Sequence, residues 1–102
     1  MFKLIAELEP NFAKAYIGLG NTLDDQGKST EAIAQYKKAI SLDPKNAYAY
    51  YNLAVTLGRQ QQLEDAIVAL KKARELFQIQ RNSKMLERVD RLFQKINTRQ
   101  IN

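Results

Sequence analysis

Sliding the sequence along itself by 34 residues lays residues 13–46 over 47–80 and produces 13 identities in 34 positions. Among them are Tyr16/Tyr50, Leu19/Leu53, Leu23/Leu57, Ala32/Ala66, Ile33/Ile67, Ala39/Ala73 and Leu42/Leu76. Gly20/Ala54 and Tyr36/Leu70 are conservative pairs, and Leu8-Glu9-Pro10 falls over Leu42-Asp43-Pro44. A period of this length marks a supersecondary unit that cannot bury its apolar face alone and must stack on its neighbours. That excludes most globular architectures before any single residue is interpreted.

The apolar residues inside each unit follow helical spacing. Tyr16, Leu19, Gly20 and Leu23 form one stripe, and Ala32, Ile33, Tyr36, Ala39 and Ile40 a second. Gln26-Gly27-Lys28 separates them. The next unit repeats the plan with Tyr50, Leu53, Ala54 and Leu57, then Ala66, Ile67, Leu70 and Ala73. Each unit is therefore a helical hairpin. Small residues (Gly20, Ala32, Ala39 and their counterparts) mark the places of close helix approach. Pro44 suits the link between hairpins, because its ring and missing N–H block helix continuation.

These residues resemble the tetratricopeptide repeat: an aromatic, Leu-Gly, a large residue, then Ala, an aromatic, Ala and Pro. Tyr16, Leu19-Gly20, Leu23, Ala32, Tyr36, Ala39 and Pro44 match almost throughout. Tyr50, Leu53-Ala54, Leu57, Ala66, Leu70 and Ala73 match again, but Gln78 replaces the closing Pro. The resemblance covers residues 1–80 and implies an all-α superhelix of stacked hairpins forming one domain. Its units are 13–46 and 47–80. Residues 1–10 match only the second helix of an incomplete repeat, so the expectation is the C-terminal piece of a longer array. Residues 83–99 resemble the family's capping helix, with an apolar row of Met85, Leu86, Val89, Leu92, Phe93 and Ile96. This helix departs from the 34-residue register by two positions.

The junction from Gln78 to Ser83 holds neither Gly nor Pro. One reading has Asn82 entering the left-handed region and Ser83 capping the next helix. The other lets helix propagate through Arg81, a good helix former, fusing 63–98 into one helix that covers a second chain. A homodimer could therefore form through the C-terminal helix, or through completion of the N-terminal repeat.

Catalysis finds little to work with. The chain has no Cys and no His, which removes the commonest zinc ligands and the commonest general base. Gln26-Gly27-Lys28-Ser29 ends like a phosphate loop, but Thr22 stands where the first Gly belongs and no strand precedes it. Asp24-Asp25 are neighbours that diverge by about 100° on a helix and cannot share a proton, so they are expected to be solvated. The reading is no enzyme, no cofactor and no metal. No apolar run approaches the roughly 18 residues of a membrane span, and the expected location is the cytoplasm.

In this family the first helix of each hairpin lines a concave groove that holds extended or helical peptides. On residues 12–26 the face away from the core row carries Lys14, Ile17, Asn21, Asp24 and Asp25. On 46–60 it carries Tyr48, Tyr51, Asn52, Val55 and Arg59. Tyr48, Tyr51, Asn52 and Val55 share one side by their spacing, though either tyrosine could instead pack between hairpins. Some similar proteins grip the C-terminal carboxylate of heat-shock chaperones with two Asn and several basic residues. Asn21 and Asn52 occupy the amide positions, and Lys84 and Arg88 reach the basic ones after the two-residue shift. Ile17 stands where the first Lys belongs. The function implied is binding of a peptide or protein subunit in the concave groove, with an acidic peptide as one possible occupant.

The charge distribution fits a solvated helix face, or marks an acidic partner. Residues 1–70 hold seven Lys/Arg and eight Asp/Glu, whereas 71–102 hold nine and three. The alternative is nucleic acid or another anionic surface held by Lys84, Arg88, Arg91, Lys95 and Arg99, with affinity falling steeply as salt rises. No aromatic lies within that row to stack on bases, which counts against it.

Overall fold

A computed structural model describes residues 11–101, so the expected helix over 1–10 lies outside the described residues. Five helices follow one another: α1 (Asn11–Asp25), α2 (Ser29–Leu42), α3 (Ala47–Arg59), α4 (Leu63–Ile79) and α5 (Ser83–Ile101). No strand occurs among the described residues. The pairs α1–α2 and α3–α4 are the two hairpins, and α5 closes the stack on α4.

Curvature follows from which helices touch. The first helices approach one another, α1 with α3 and α3 with α5, whereas α2 and α4 make no close backbone contact. The stack therefore bends toward the side of α1, α3 and α5, called here the inner face. On the outer side α2 and α4 stand apart with α3 as the floor between them.

The core is built as the stripes imply. Ala32, Tyr36, Ala39, Ala54, Leu57, Ala66, Leu70 and Ala73 are buried, and α5 contributes Met85, Val89 and Ile96. Small residues at the crossings let the helices approach: a Cβ on Gly20 would sit 2.5 Å from the Tyr36 ring. Leu19 departs from expectation, being 46% exposed while its counterpart Leu53 is 7% exposed. Leu53 gains cover from the preceding hairpin, since it lines a cavity together with Ile33 of α2. Leu19 has no described hairpin before it.

Three turns share one hydrogen-bonding pattern. Lys28 N donates to Leu23 O and Gly27 N to Asp24 O, the paired bonds of a Schellman motif. Gln62 and Gln61 repeat this toward Leu57 and Gly58, and Asn82 and Arg81 toward Phe77 and Gln78. Each motif places its penultimate residue in the left-handed region: Gly27 at φ 80°, Gln61 at 65° and Arg81 at 55°. The junction thus breaks the helix, which excludes the fused helix within this chain. The left-handed residue is Arg81, however, and not Asn82. Asn82 instead caps α5, its Oδ1 accepting from Met85 N at 3.2 Å. Its side chain is worth more as a cap than in the left-handed position, because it satisfies an orphan N–H of the first turn.

The two-residue register shift has a simple origin. Without a proline at 78, α4 runs to 17 residues against 14 for α2. The connection that follows is three residues, 80–82, against four, 43–46. Accordingly Asn46 caps α3 by accepting from Tyr48 N and Ala49 N, and Asn82 does so for α5 at an offset two residues longer than the repeat.

The strained turns give a stability test. Gly27→Ala adds no steric contact, so its cost is conformational, about 1 kcal/mol. Gln61→Gly and Arg81→Gly relieve that same strain and are expected to raise stability by about 0.5 kcal/mol each, a few degrees in Tm. Thermal unfolding followed by circular dichroism checks the opposite signs.

Candidate peptide-binding site

The inner face is built from α1, α3 and α5, and its residues divide by what they touch. Tyr51 of α3 is half-buried and lines a cavity of about 380 Å³ with Arg88, Arg91, Leu92 and Lys95 of α5. Spacing explains the cluster: 88, 91, 92 and 95 fall on one side of α5. Arg91 lies 3.7 Å from Glu87, while Arg88 and Lys95 have no ion pair among the described residues. The result is an apolar floor of ring and Leu92 under three cations, with no carboxylate in the lining.

Other expected groove residues are engaged within the fold. Tyr48 is 46% exposed, but its ring meets Phe77 edge-on at 5.1 Å and 81°. Its hydroxyl accepts from Asn82 Nδ2 at 3.3 Å. Tyr48 therefore packs between α3, α4 and the start of α5, keeping only part of its surface open. Asn52 and Val55 are half-buried on α3, and Lys14 and Lys84 are exposed.

Four residues of the expected groove take other roles. Ile17 is buried, at 8% exposure. The close approach of α1 and α3 covers the position beside the core row, so Ile17 joins the core instead of facing a ligand. Arg59 donates to Asp24 Oδ2 at 2.7 Å and ties α3 to α1. Asp24 is correspondingly not solvated, its side chain being 8% exposed, and Ser29 Oγ reaches its other oxygen at 3.5 Å. Asp25 stays exposed. Asn21 is exposed, yet its Oδ1 accepts the Tyr36 hydroxyl at 2.6 Å.

Tyr36 is 1% exposed. Burial raises its pKa, and the Asp24 carboxylate adds to the shift, while the Thr56 hydroxyl and Arg59 work in the opposite sense. Thr56 Oγ1 is itself buried without a partner of good hydrogen-bond geometry. Polar order beneath the inner face thus runs from Tyr36 to Asn21, with Asp24 and Arg59 close by.

Arg91, Leu92 and Lys95 were missing from the groove expected on sequence. The available signal was their i, i+3, i+4, i+7 relation to Arg88, which assigns all four to one flank of α5. A larger cavity, about 660 Å³, lies on the outer face between α2 and α4, lined by Ile33, Tyr50, Leu53, Leu57 and Val68 among others. Its two cations, Lys37 and Lys72, share the lining with the Asp65 carboxylate, whereas the inner cluster has no carboxylate in its lining. Among the described residues no cluster of three or more Asp or Glu could hold a metal ion. None of the described helices is long and apolar enough to cross a membrane.

Comparison with known proteins places the fold. A family profile described as a TPR repeat matches residues 20–61, and one described as a tetratricopeptide repeat matches 46–79. Among curated proteins none matches significantly. The TPR2B domain of yeast Sti1, solved as a complex with pHsp70, superposes with a TM-score of 0.81 at 26% identity, over 85% of this chain and 70% of that one. The N-terminal domain of stress-induced protein-1 from C. elegans superposes with 0.76 at 29%, over 86% and 73%. A tetratricopeptide repeat domain protein from Salinibacter ruber, at 20% identity and 0.74, shares the fold over 87% of this chain and 97% of that one. The repeat period, the hairpin stack and both profiles agree: the chain belongs to the tetratricopeptide repeat family.

Proposed function

We propose that this chain is a protein–protein interaction module that takes an acidic peptide segment along its inner face. The observation that carries the reading is the cluster of Arg88, Arg91 and Lys95 over Tyr51 and Leu92. A rigid ring and a Leu give apolar area, and the three cations select carboxylates beside it. Family membership supports protein binding as the general role, as does likeness to a yeast domain solved with pHsp70.

The segment recognised is one with acidic side chains and not a bare terminal carboxylate. Ile17, at the position where carboxylate-gripping members carry Lys, is buried and uncharged. The carbonyl of Asn21 is already engaged by Tyr36. Among the described residues no comparable arrangement builds a catalytic centre, and the reading is of a binding module.

The test uses fluorescence anisotropy with a labelled peptide of about twelve residues, Glu-rich around a central Leu. Arg88→Glu with Lys95→Glu is expected to weaken binding by about 100-fold at low salt, since two attractive contacts become repulsive. Tyr51→Ala is expected to weaken it by about tenfold with helicity unchanged. Equal affinity of the wild type for a basic peptide of the same length would refute the reading, as would tighter binding to single-stranded RNA.

A further inference from the structure

The outer face of α4 carries the two most exposed large apolar residues described, Val68 at 69% and Ile79 at 72%. Between them on the same stripe lie Lys72 and Glu75, 3.7 Å apart, the lysine half-buried and the glutamate exposed. The spacing 68, 72, 75, 79 is the 4-3-4 pattern of a coiled-coil seam. The stripe forms one wall of the outer trough. The large cavity beside Val68 continues into a second of about 520 Å³ at Ile79, the two sharing Tyr50 and Lys72.

We infer that this stripe is a self-association surface, on which α4 of a second copy lies antiparallel to α4 of the first. The order of residues is self-complementary about a two-fold axis passing between Lys72 and Glu75. Antiparallel seams pair each position with its mirror image, so Val68 meets Ile79 of the second copy and Lys72 meets Glu75 of the second copy. An isologous contact requires this symmetry. Each pairing appears twice, giving two apolar layers outside and two opposite-charge layers between them. A parallel seam would instead set Lys72 against Lys72 and Glu75 against Glu75. Charge complementarity therefore selects both the occupant and its direction.

The contact spans only about 17 Å of helix, so the expected dimer is weak, with Kd about 10–100 µM. Its site differs from the inner face, and its success or failure is separate from peptide binding there.

Sedimentation equilibrium at low salt, from about 10 µM to 1 mM, reads the association. The wild type is expected to shift from monomer to dimer across that range. Lys72→Glu opposes two carboxylate pairs in the seam and is expected to weaken dimerisation at least about tenfold. The exchange Lys72→Glu with Glu75→Lys re-forms the pairs and is expected to restore affinity to within about threefold. Because the chain has no cysteine, a second readout is clean. A Val68→Cys chain mixed with an Ile79→Cys chain should oxidise preferentially to the disulfide-linked heterodimer. A wild type that stays monomeric at 1 mM overturns the inference. So does an exchange variant as weak as Lys72→Glu, or random cross-linking in the cysteine mixture.

Discussion

Tyr36→Ala is expected to cost about 3–5 kcal/mol of folding stability, a large share of the roughly 5–15 kcal/mol available to a domain. The ring is 1% exposed, fills the space left by Gly20 and hydrogen-bonds Asn21 across the first hairpin. Its loss leaves a cavity between α1 and α2 that the Ala-rich surroundings cannot close. Gly20→Val attacks the same contact from the other side. Its first added carbon already meets the ring at 2.5 Å, and the ring is buried on all sides, so about 2–3 kcal/mol is expected. Urea denaturation measures both.

Tyr36 also sets an alkaline limit. Its pKa is raised in the folded chain by burial and by Asp24, relative to an ordinary value of 10.0. The native state therefore holds its proton above pH 10 while the unfolded chain releases it, and stability falls with rising pH. The contribution is intact below pH 10 and is lost as pH climbs from there through the raised native value. Tyr36→Phe removes this one titration. The variant should lose less stability than the wild type over that interval, although it starts lower at neutral pH. Parallel curves for the two proteins would contradict the linkage.

Phe77→Ala is the second change of large effect, again about 3–5 kcal/mol. Phe77 is fully buried, stacks edge-on with Tyr48 and lends its carbonyl to the turn that ends α4. Repeat arrays respond to such damage locally, since each unit is coupled only to its neighbours. Hydrogen exchange should therefore speed first in α5 and the end of α4, while α1 and α2 keep most of their protection. Tyr36→Ala should show the reverse order. A uniform loss in both variants would mean that the stack unfolds as one cooperative block.

The helices and the hairpin pairing were legible in the 34-residue period, because periodicity reports which face of a helix must be covered. It is silent about how neighbouring helices cross. Ile17 and Leu19 illustrate the gap. The first is buried where α1 and α3 approach closely, and the second is exposed although its counterpart Leu53 is covered by the hairpin before it. The Asp24–Arg59 pair joins residues one position more than a repeat apart, a relation fixed by the rotation between hairpins and absent from any single-helix pattern. Arg81 shows a different limit. Backbone geometry at a Schellman turn assigns the left-handed position by hydrogen-bond register, and Asn82 was more useful one place later as a cap. On the inner face, Tyr51 and Arg88, two of the expected groove residues, line one cavity. The sequence had put Arg91 and Lys95 in a separate basic row and Leu92 in the buried one, and the docking of α5 brings all three beside Tyr51.

Because the first helices touch while α2 and α4 stand apart, the stack resembles a strip hinged along one edge. Flexing about that edge changes the width of the outer trough and leaves the covalent chain unstrained, so it is the softest deformation available. A wedge lodged between α2 and α4 would stiffen the strip and hold the inner face at one radius. A peptide bridging α1 and α5 would draw the inner edge shorter and spread the outer one.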